Sequence, residues 1–334
     1  METIFYKKLA DKAVRCNICN HFCEIENGKK GICKVRENRN GRLESLIYPK
    51  IIARGIDPVE KKPLFHVKPG SKSYSIASVG CNFQCTFCQN ADIAQMPRDR
   101  GMINGVEIDP ETIVKQALRG ECKSIAYTYT EPTVYFELAL ETSKIAKKNK
   151  LLNIFVTNGF MSNQVIKEIA PFLDAANVDL KAFNEKFYKK YCKAGLEPVK
   201  ENLKFMKSLG IIVEVTTLLI PGLNDDIREL EQMACFIKDD LGADTPWHIS
   251  RFHPCYKMAD KPITPVTSLE NAYNIGKNAG LCHVYAGNAP QLGLEDTFCD
   301  GCGALLVKRD GYIINSNIKK GKCPNCNKEI YGIY

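Results

Sequence analysis

The sequence predicts an α/β fold: a parallel sheet wound by helices into an open, partial (β/α)6 barrel, with a Cys-rich extension before it and a ribbon-like module after it. Three observations carry that expectation. From residue 74 onward, apolar runs of strand length alternate with segments of helical period; the tail from 297 holds two Cys-x-x-Cys pairs; and sixteen cysteines crowd a chain of 334 residues. A complete eight-fold barrel usually needs about 250 residues. Six strand-and-helix units in about 200 residues therefore favour a partial barrel, with a flat doubly wound sheet as the competitor.

Residues 1–70 form the extension. They open with CNICNHFCEIENGKKGICKVR, pass through GRLESLIYPKIIARG, which reads as a strand pair, and reach the Pro-marked DPVEKKPLFHVKPG. The barrel is expected over 71–290. Its strands are SYSIASV, KSIAYTY, LNIFVT, ANVDL, IIVEVTTLLI and WHISRF, apolar on both faces as buried parallel strands must be. Between them, DPETIVKQALRG has Asp109 to cap a helix, Pro110 for its first turn and Gly120 for its end, and TVYFELALETSKIAKKN repeats the helical period. Ligands of such sheets sit at the C-terminal ends of the strands, so the residues just after each run carry the chemistry. The module spans 297–334, too short to build a core without a staple.

Composition narrows the class. Apolar residues make up 45% and charged residues 25%, and no run of eighteen apolar residues occurs, so a soluble protein without a membrane role is expected. The N-terminal METIFYKKLADKAVRC lacks the apolar core of a secretory signal, which points to the cytoplasm. The net charge of +8 is spread along the chain, with KK at 7, 29, 61, 147, 189 and 319, and reads as a solvated surface before it reads as a nucleic-acid footprint. In a reducing compartment, clustered cysteines are metal ligands more often than disulfides. Eleven of the sixteen fall into three groups, while Cys122, Cys192, Cys235, Cys255 and Cys282 stand apart as core or surface thiols.

The central group is Cys81, Cys85 and Cys88, in CNFQCTFCQN directly after the first strand. Three thiolates from one loop can hold three irons of a cubane [4Fe-4S] cluster, and the fourth iron then offers an open position. The N-terminal group, Cys16, Cys19, Cys23 and Cys33, can close a zinc site or carry an auxiliary iron-sulfur cluster, and His21 could replace one thiol. The C-terminal group, Cys299, Cys302, Cys323 and Cys326, has the spacing of a zinc ribbon.

With aromatic Phe87 before its third Cys, the loop CNFQCTFCQN resembles the signature of the radical S-adenosylmethionine (SAM) superfamily. The resemblance implies that SAM fills the open iron position through its amino and carboxylate groups. One electron then splits the sulfonium bond, and a 5'-deoxyadenosyl radical abstracts hydrogen from a substrate. Residues 74–286 resemble the core of pyruvate formate-lyase activating enzymes. On that resemblance Glu131 of TYTEPT, with Thr128 and Thr130 beside it, would receive the methionine ammonium, the plainer alternative being a helix-start Glu. In FVTNGF, Thr157 and Asn158 match the relatives' turn, while Val156 stands where they carry Asp. In VDLKAF, Asp179 and Lys181 would orient or neutralise the methionine carboxylate, against a rim salt bridge. The Pro-Gly turn of LLIPGLND would let backbone approach the adenine. His248 matches a cofactor-contacting His, against a satisfied core residue, with Arg251 and His253 as further rim candidates.

The whole layout resembles the radical enzyme of the AmmeMemoRadiSam group, which implies association with AMMECR1-like and Memo-like proteins and an electron donor such as flavodoxin or ferredoxin. A glycyl radical enzyme is the partner that the activase resemblance implies. The tail's Lys308, Arg309, Lys319, Lys320 and Lys322 are compatible with RNA or protein docking, against a structural cap. A non-catalytic iron-sulfur or zinc scaffold is the rival from another class.

Overall fold

The structure, a computed structural model, describes all 334 residues. The chain divides into two compact units. One comprises Met1–Asp57, Lys72–Asp174 and Tyr191–Ala194; the other comprises Pro58–Ser71, Ala175–Lys190 and Gly195–Tyr334.

In the first unit, β1 (Lys72–Ala77), β2 (Ser124–Tyr127) and β3 (Leu152–Thr157) run parallel in the order β3-β2-β1, and the strand Ala53–Pro58 lies outside β1. The register sets Tyr127 level with Ile76 and Phe155, so the three strands end together. All four residues of β2 are buried, as its uninterrupted apolar reading requires. Helix α1 (Pro110–Arg119) starts where the sequence says it should: the Asp109 carboxylate accepts the Thr112 N–H at 2.8 Å, Pro110 fills the first turn and Gly120 ends it. Ile113, Val114 and Ala117 bury its inner stripe. Helices α2 (Phe136–Lys148) and α3 (Asn163–Ile169) follow β2 and β3, the latter capped by Ser162.

The extension adds a three-stranded antiparallel meander, Tyr6–Lys8, Val14–Cys16 and Glu24–Ile25, and a hairpin of Arg36–Arg39 with Arg42–Ser45. The strand pair expected within GRLESLIYPKIIARG forms differently. Arg42–Ser45 turns back on Arg36–Arg39 through Asn40 and Gly41, both at positive φ, while Ala53–Pro58 joins the edge of β1. A tight two-residue turn at Asn-Gly outcompetes the longer connection.

In the second unit, β4 (Ala175–Asp179), β5 (Ile212–Leu219), β6 (Trp247–Arg251) and β7 (Val284–Gly287) run parallel in the order β7-β6-β5-β4. Strand β7 extends the six expected strands to seven. Helices α4 (Glu197–Ser208), α5 (Ile227–Phe236) and α6 (Val266–Asn278) separate them. Gly276 permits a close helix-to-sheet contact, since a Cβ there would lie 2.9 Å from Val284 Cγ2 and 3.0 Å from the Trp247 ring.

The tail forms a three-stranded antiparallel ribbon of Thr297–Phe298, Leu305–Asp310 and Ile313–Ser316, whose small core is Cys299, Leu306, Val307, Cys323 and Ile330. No helix is long and apolar enough to cross a membrane.

Candidate active site

Strand β1 runs out through Ser78 and Val79 to Gly80, where the backbone turns at φ +100. A Cβ there would stand 2.8 Å from Val35 Cγ1, so both the turn and the close approach demand glycine. The turn delivers Cys81, and the loop continues through buried Cys85 and Phe87 to half-buried Cys88. Two backbone bonds fix the loop from a segment far along the chain. The Gln84 N–H donates to the Cys192 carbonyl at 2.8 Å and the Thr86 N–H to the Tyr191 carbonyl at 3.0 Å. Gln95 Nε2 also donates to the Phe83 carbonyl at 3.2 Å.

The ends of β2 and β3 come to the same place. The Thr128 N–H continues the ladder to the Ile76 carbonyl, and Thr130 Oγ1 donates to the Ser78 carbonyl at 2.7 Å. Tyr129 sits at positive φ, and its carbonyl accepts from Asn90 Nδ2. Glu131 is buried and its carboxylate gathers both strand ends: Oε1 accepts from the Thr133 N–H and from Thr157 Oγ1 at 2.7 Å, and Oε2 accepts the Asn158 N–H at 2.8 Å. A carboxylate oxygen can take two donors, so Oε2 keeps acceptor capacity beyond the Asn158 bond. The helix-start role expected as the plain alternative is present, since Glu131 caps the turn Pro132–Tyr135. Asn158, held by the turn at Gly159, places Nδ2 2.7 Å from Asn82 Oδ1 and 3.7 Å from Cys81 Sγ. The Phe83 N–H lies 3.3 Å from the same sulfur.

Burial pushes the Cys81 thiol well above its usual range, and the Glu131 carboxylate pushes it further. Burial likewise raises Glu131, against the hydrogen bonds that it accepts. Burial thus works against the anion of both groups. Both become favourable anions beside a cation, a metal in one case and an ammonium in the other.

In the second unit, Asp179 of β4 stands level with Thr216 of β5, His248 of β6 and Tyr285 of β7. Lys181 Nζ pairs with Asp179 Oδ2 at 3.0 Å, so the rim salt bridge is formed. His248 Nε2 bonds Glu214 Oε2 at 2.6 Å, and the ring stacks on Tyr285. Glu214 also accepts the N–H groups of Phe65 and His66, at 3.0 and 2.9 Å. Arg251 Nε donates to the Thr264 carbonyl, and His253 is exposed. In the Pro-Gly turn, Gly222 has φ +70 and donates its N–H to Asp225.

The four C-terminal thiols converge, with all sulfurs within 4.8 Å of one another, Cys299 to Cys326 at 3.6 Å and Cys302 to Cys323 at 3.8 Å. Tetrahedral zinc with bonds of about 2.3 Å asks for sulfurs about 3.8 Å apart. This is a four-cysteine group of zinc-ribbon type. The N-terminal Cys16, Cys19, Cys23 and Cys33 line a different cavity together with His21, Arg36 and Asn82. His21 Nε2 is engaged by the Asn82 carbonyl at 2.9 Å.

Sequence reasoning missed Asn82, Asn90, Tyr191, Cys192 and Glu214. Only Glu214 had left a signal, as an acid in the middle of the apolar run IIVEVTTLLI. The others act through backbone or amide groups whose position depends on the tertiary fold.

The three-thiol loop at the end of β1, met by an amide and a carboxylate from the next two strand ends, defines an α/β protein with a cysteine-rich site at its strand ends. The Radical SAM superfamily is matched over residues 75–234, and an uncharacterized protein of Methanocaldococcus jannaschii is 47% identical over 98% of both chains. The chain belongs to the Radical SAM superfamily. The pyruvate formate-lyase-activating enzyme of Clostridium pasteurianum is 22% identical over 48% of this chain and 67% of its own. A radical SAM methyltransferase from Sphaerobacter thermophilus shares the fold with a TM-score of 0.52 at 16% identity, over 71% of each chain. The family implies a [4Fe-4S] cluster, SAM and a reductant. The loop fits such a cluster on its own terms: it offers three thiols, two N–H groups face Cys81 Sγ, and Thr86 Oγ1 is buried without a partner where a sulfide could accept its hydrogen bond.

Proposed function

We propose that this chain reductively cleaves SAM at a [4Fe-4S] cluster held by Cys81, Cys85 and Cys88, and that the 5'-deoxyadenosyl radical so supplied abstracts hydrogen from a substrate. The observation that carries the reading is the convergence of Asn158 Nδ2 and the Glu131 carboxylate on the surroundings of Cys81. Asn158 and the Phe83 N–H orient the first sulfur and spread its charge. The remaining acceptor capacity of Glu131 suits the methionine ammonium, with Thr128 and Thr157 holding the strand ends that aim it. Phe87 is buried in the loop and keeps water from the sulfurs. In the second unit, Lys181, restrained by Asp179, offers a cation to a carboxylate, and His248, held by Glu214, presents its ring face to the sheet row.

The finer reading is activation of a glycyl radical enzyme, supported by the activating-enzyme name of the Clostridium relative. Modification of RNA or protein through the ribbon is the weaker alternative. Lys308 pairs with Asp296 and Lys322 with Glu329, while Arg309 is buried against Phe65 and Thr297, which suits a structural cap. The ribbon's metal is zinc in this reading, and a reduced flavodoxin or ferredoxin supplies the electron. The test is anaerobic reconstitution followed by dithionite and SAM. Production of 5'-deoxyadenosine supports the reading, and a fully loaded cluster that yields none would sink it in favour of a scaffold. A glycyl EPR signal in a co-incubated glycyl radical enzyme decides the finer claim.

A further inference from the structure

The N-terminal thiols call for an occupant of their own. Cys16, Cys19, Cys23 and Cys33 come from the meander and the loop that follows it, and all four line one cavity. Its remaining wall is mostly apolar, from Ile18, Ile25, Ile32 and Val134. The C-terminal thiols show the contrast, because sulfurs 3.6 to 3.8 Å apart leave room between them for one ion.

Two residues of this lining, Arg36 and Asn82, each hold a buried donor without a partner. Arg36 is 2% exposed; its two terminal nitrogens are spent on Glu137, at 2.8 and 2.7 Å, and on the Val134 carbonyl, but its Nε has no acceptor. Asn82 is 1% exposed; its Oδ1 accepts from Asn158, but its Nδ2 has no acceptor. A buried donor left unpaired is destabilising, so two in one cavity wall mark a missing acceptor. The occupant must carry an anionic or soft acceptor and must offer metal ions to four thiolates. An iron-sulfur cluster does both, its irons taking the thiolates and its bridging sulfides accepting hydrogen bonds, whereas a single zinc ion carries no acceptor of its own.

We propose that this cavity seats a second [4Fe-4S] cluster, ligated by Cys16, Cys19, Cys23 and Cys33 and hydrogen-bonded by Arg36 Nε and Asn82 Nδ2. Four thiolates saturate all four irons, so this cluster has no open position and binds no SAM. Its wall is shared with the catalytic loop: Asn82 directly follows Cys81, its carbonyl bonds His21, and Cys19 bridges to Met161 just beyond Asn158. The site stands independently of the SAM-cleavage reading.

The test uses full-length protein with Cys81, Cys85 and Cys88 all changed to Ser, reconstituted anaerobically with iron and sulfide. About four irons and four sulfides per chain are expected to remain. Dithionite should give a reduced-cluster EPR signal that SAM leaves unmoved, and zinc should stay near one per chain. Loss of all iron, or zinc near two per chain, overturns the proposal. The converse variant, Cys23→Ser with Cys33→Ser, should halve the iron of the wild type while its remaining EPR signal still responds to SAM; unchanged iron overturns the proposal. Absence of 5'-deoxyadenosine from wild type carrying about eight irons would count against cleavage and leave the second cluster intact.

Discussion

Glu131 caps a turn and, in the proposed function, receives the methionine ammonium; a substitution series separates the two roles. Replacing it by Ala strips the acceptor from the Thr133 and Asn158 N–H groups and from Thr157 Oγ1, and should lower stability by about 3 kcal/mol in denaturant unfolding. Glu131→Gln keeps an acceptor oxygen but not the charge. It should recover most of that stability, yet raise the SAM concentration for half-maximal cleavage roughly tenfold. A Gln variant with unchanged SAM dependence would remove the ammonium role and leave only the cap. At this scale the cysteine triad could be picked out because its three thiols lie on one short loop. Asn82, Thr86 and the Tyr191–Cys192 backbone were not, because no spacing rule links residue 84 to residue 192. The Arg36–Glu137 pair was hidden for the same reason. Burial alone would raise the Glu137 carboxyl, and the Arg36 guanidinium outweighs it and holds the group below its usual value. A depressed acid stabilises the fold above its unfolded pKa and loses that contribution as pH falls through its folded one. Wild-type melting temperature should therefore drop on acidification below about 4.5, with a shallower drop in Glu137→Gln.

Strands β5 to β7 and the ribbon meet in a buried polar network. His66 Nδ1 donates to the Tyr331 carbonyl and also meets Tyr334 Oη, its Nε2 bonds Tyr285 Oη, and Tyr331 Oη bonds the backbone of Val213. His283 packs 4.4 Å from His66, ring centre to ring centre. Burial drives His66 well below its usual value and His283 down to about 4. A buried neutral His stabilises the fold above its unfolded pKa near 6.5, and that contribution fades as pH falls toward the folded value. His283 alone accounts for up to about 3 kcal/mol between those limits. Melting curves from pH 7 to 4 should show this loss, and His283→Gln should flatten it; an identical slope would exclude His283 as the source. The other six parallel strands and the caps of α1 were readable from period and end signals. Strand β7 was not: VYAG is four residues long and ends in glycine, so only its pairing with β6 makes it a strand.

Across the molecule, the ribbon is tied to its unit by more than its metal. Arg309 reaches the Phe65 carbonyl and Thr297, and its guanidinium lies 4.1 Å over the Phe65 ring. Stripping the metal from the four ribbon thiols with a chelator should unfold residues 297–334, since metal binding contributes on the order of 10 kcal/mol in small zinc modules. It should also raise amide exchange at Val213, whose backbone bonds Tyr331. Exchange at Val213 that ignores the chelator would show that the anchor holds without metal. The same ties make deletion of 297–334 a poor test of substrate docking, because it orphans buried groups of β5 and of the segment before β1. The sequence foretold a ribbon and a parallel α/β core, but not the division into two units. That division depends on Tyr191–Ala194 joining the first and Pro58–Ser71 the second, which only three-dimensional contacts decide.

The backbone ties from Tyr191 and Cys192 to the cysteine loop also bear on biosynthesis. A ribosome adding about 5–20 residues per second exposes Cys81, Cys85 and Cys88 several seconds before the chain that pins them has been made. For that interval the nascent thiols are unrestrained, open to stray copper or to oxidation. Under the proposed function, iron delivery becomes a matter of timing: a carrier that waits for the downstream clasp finds a shaped receptacle, and one that arrives early finds a loose tether.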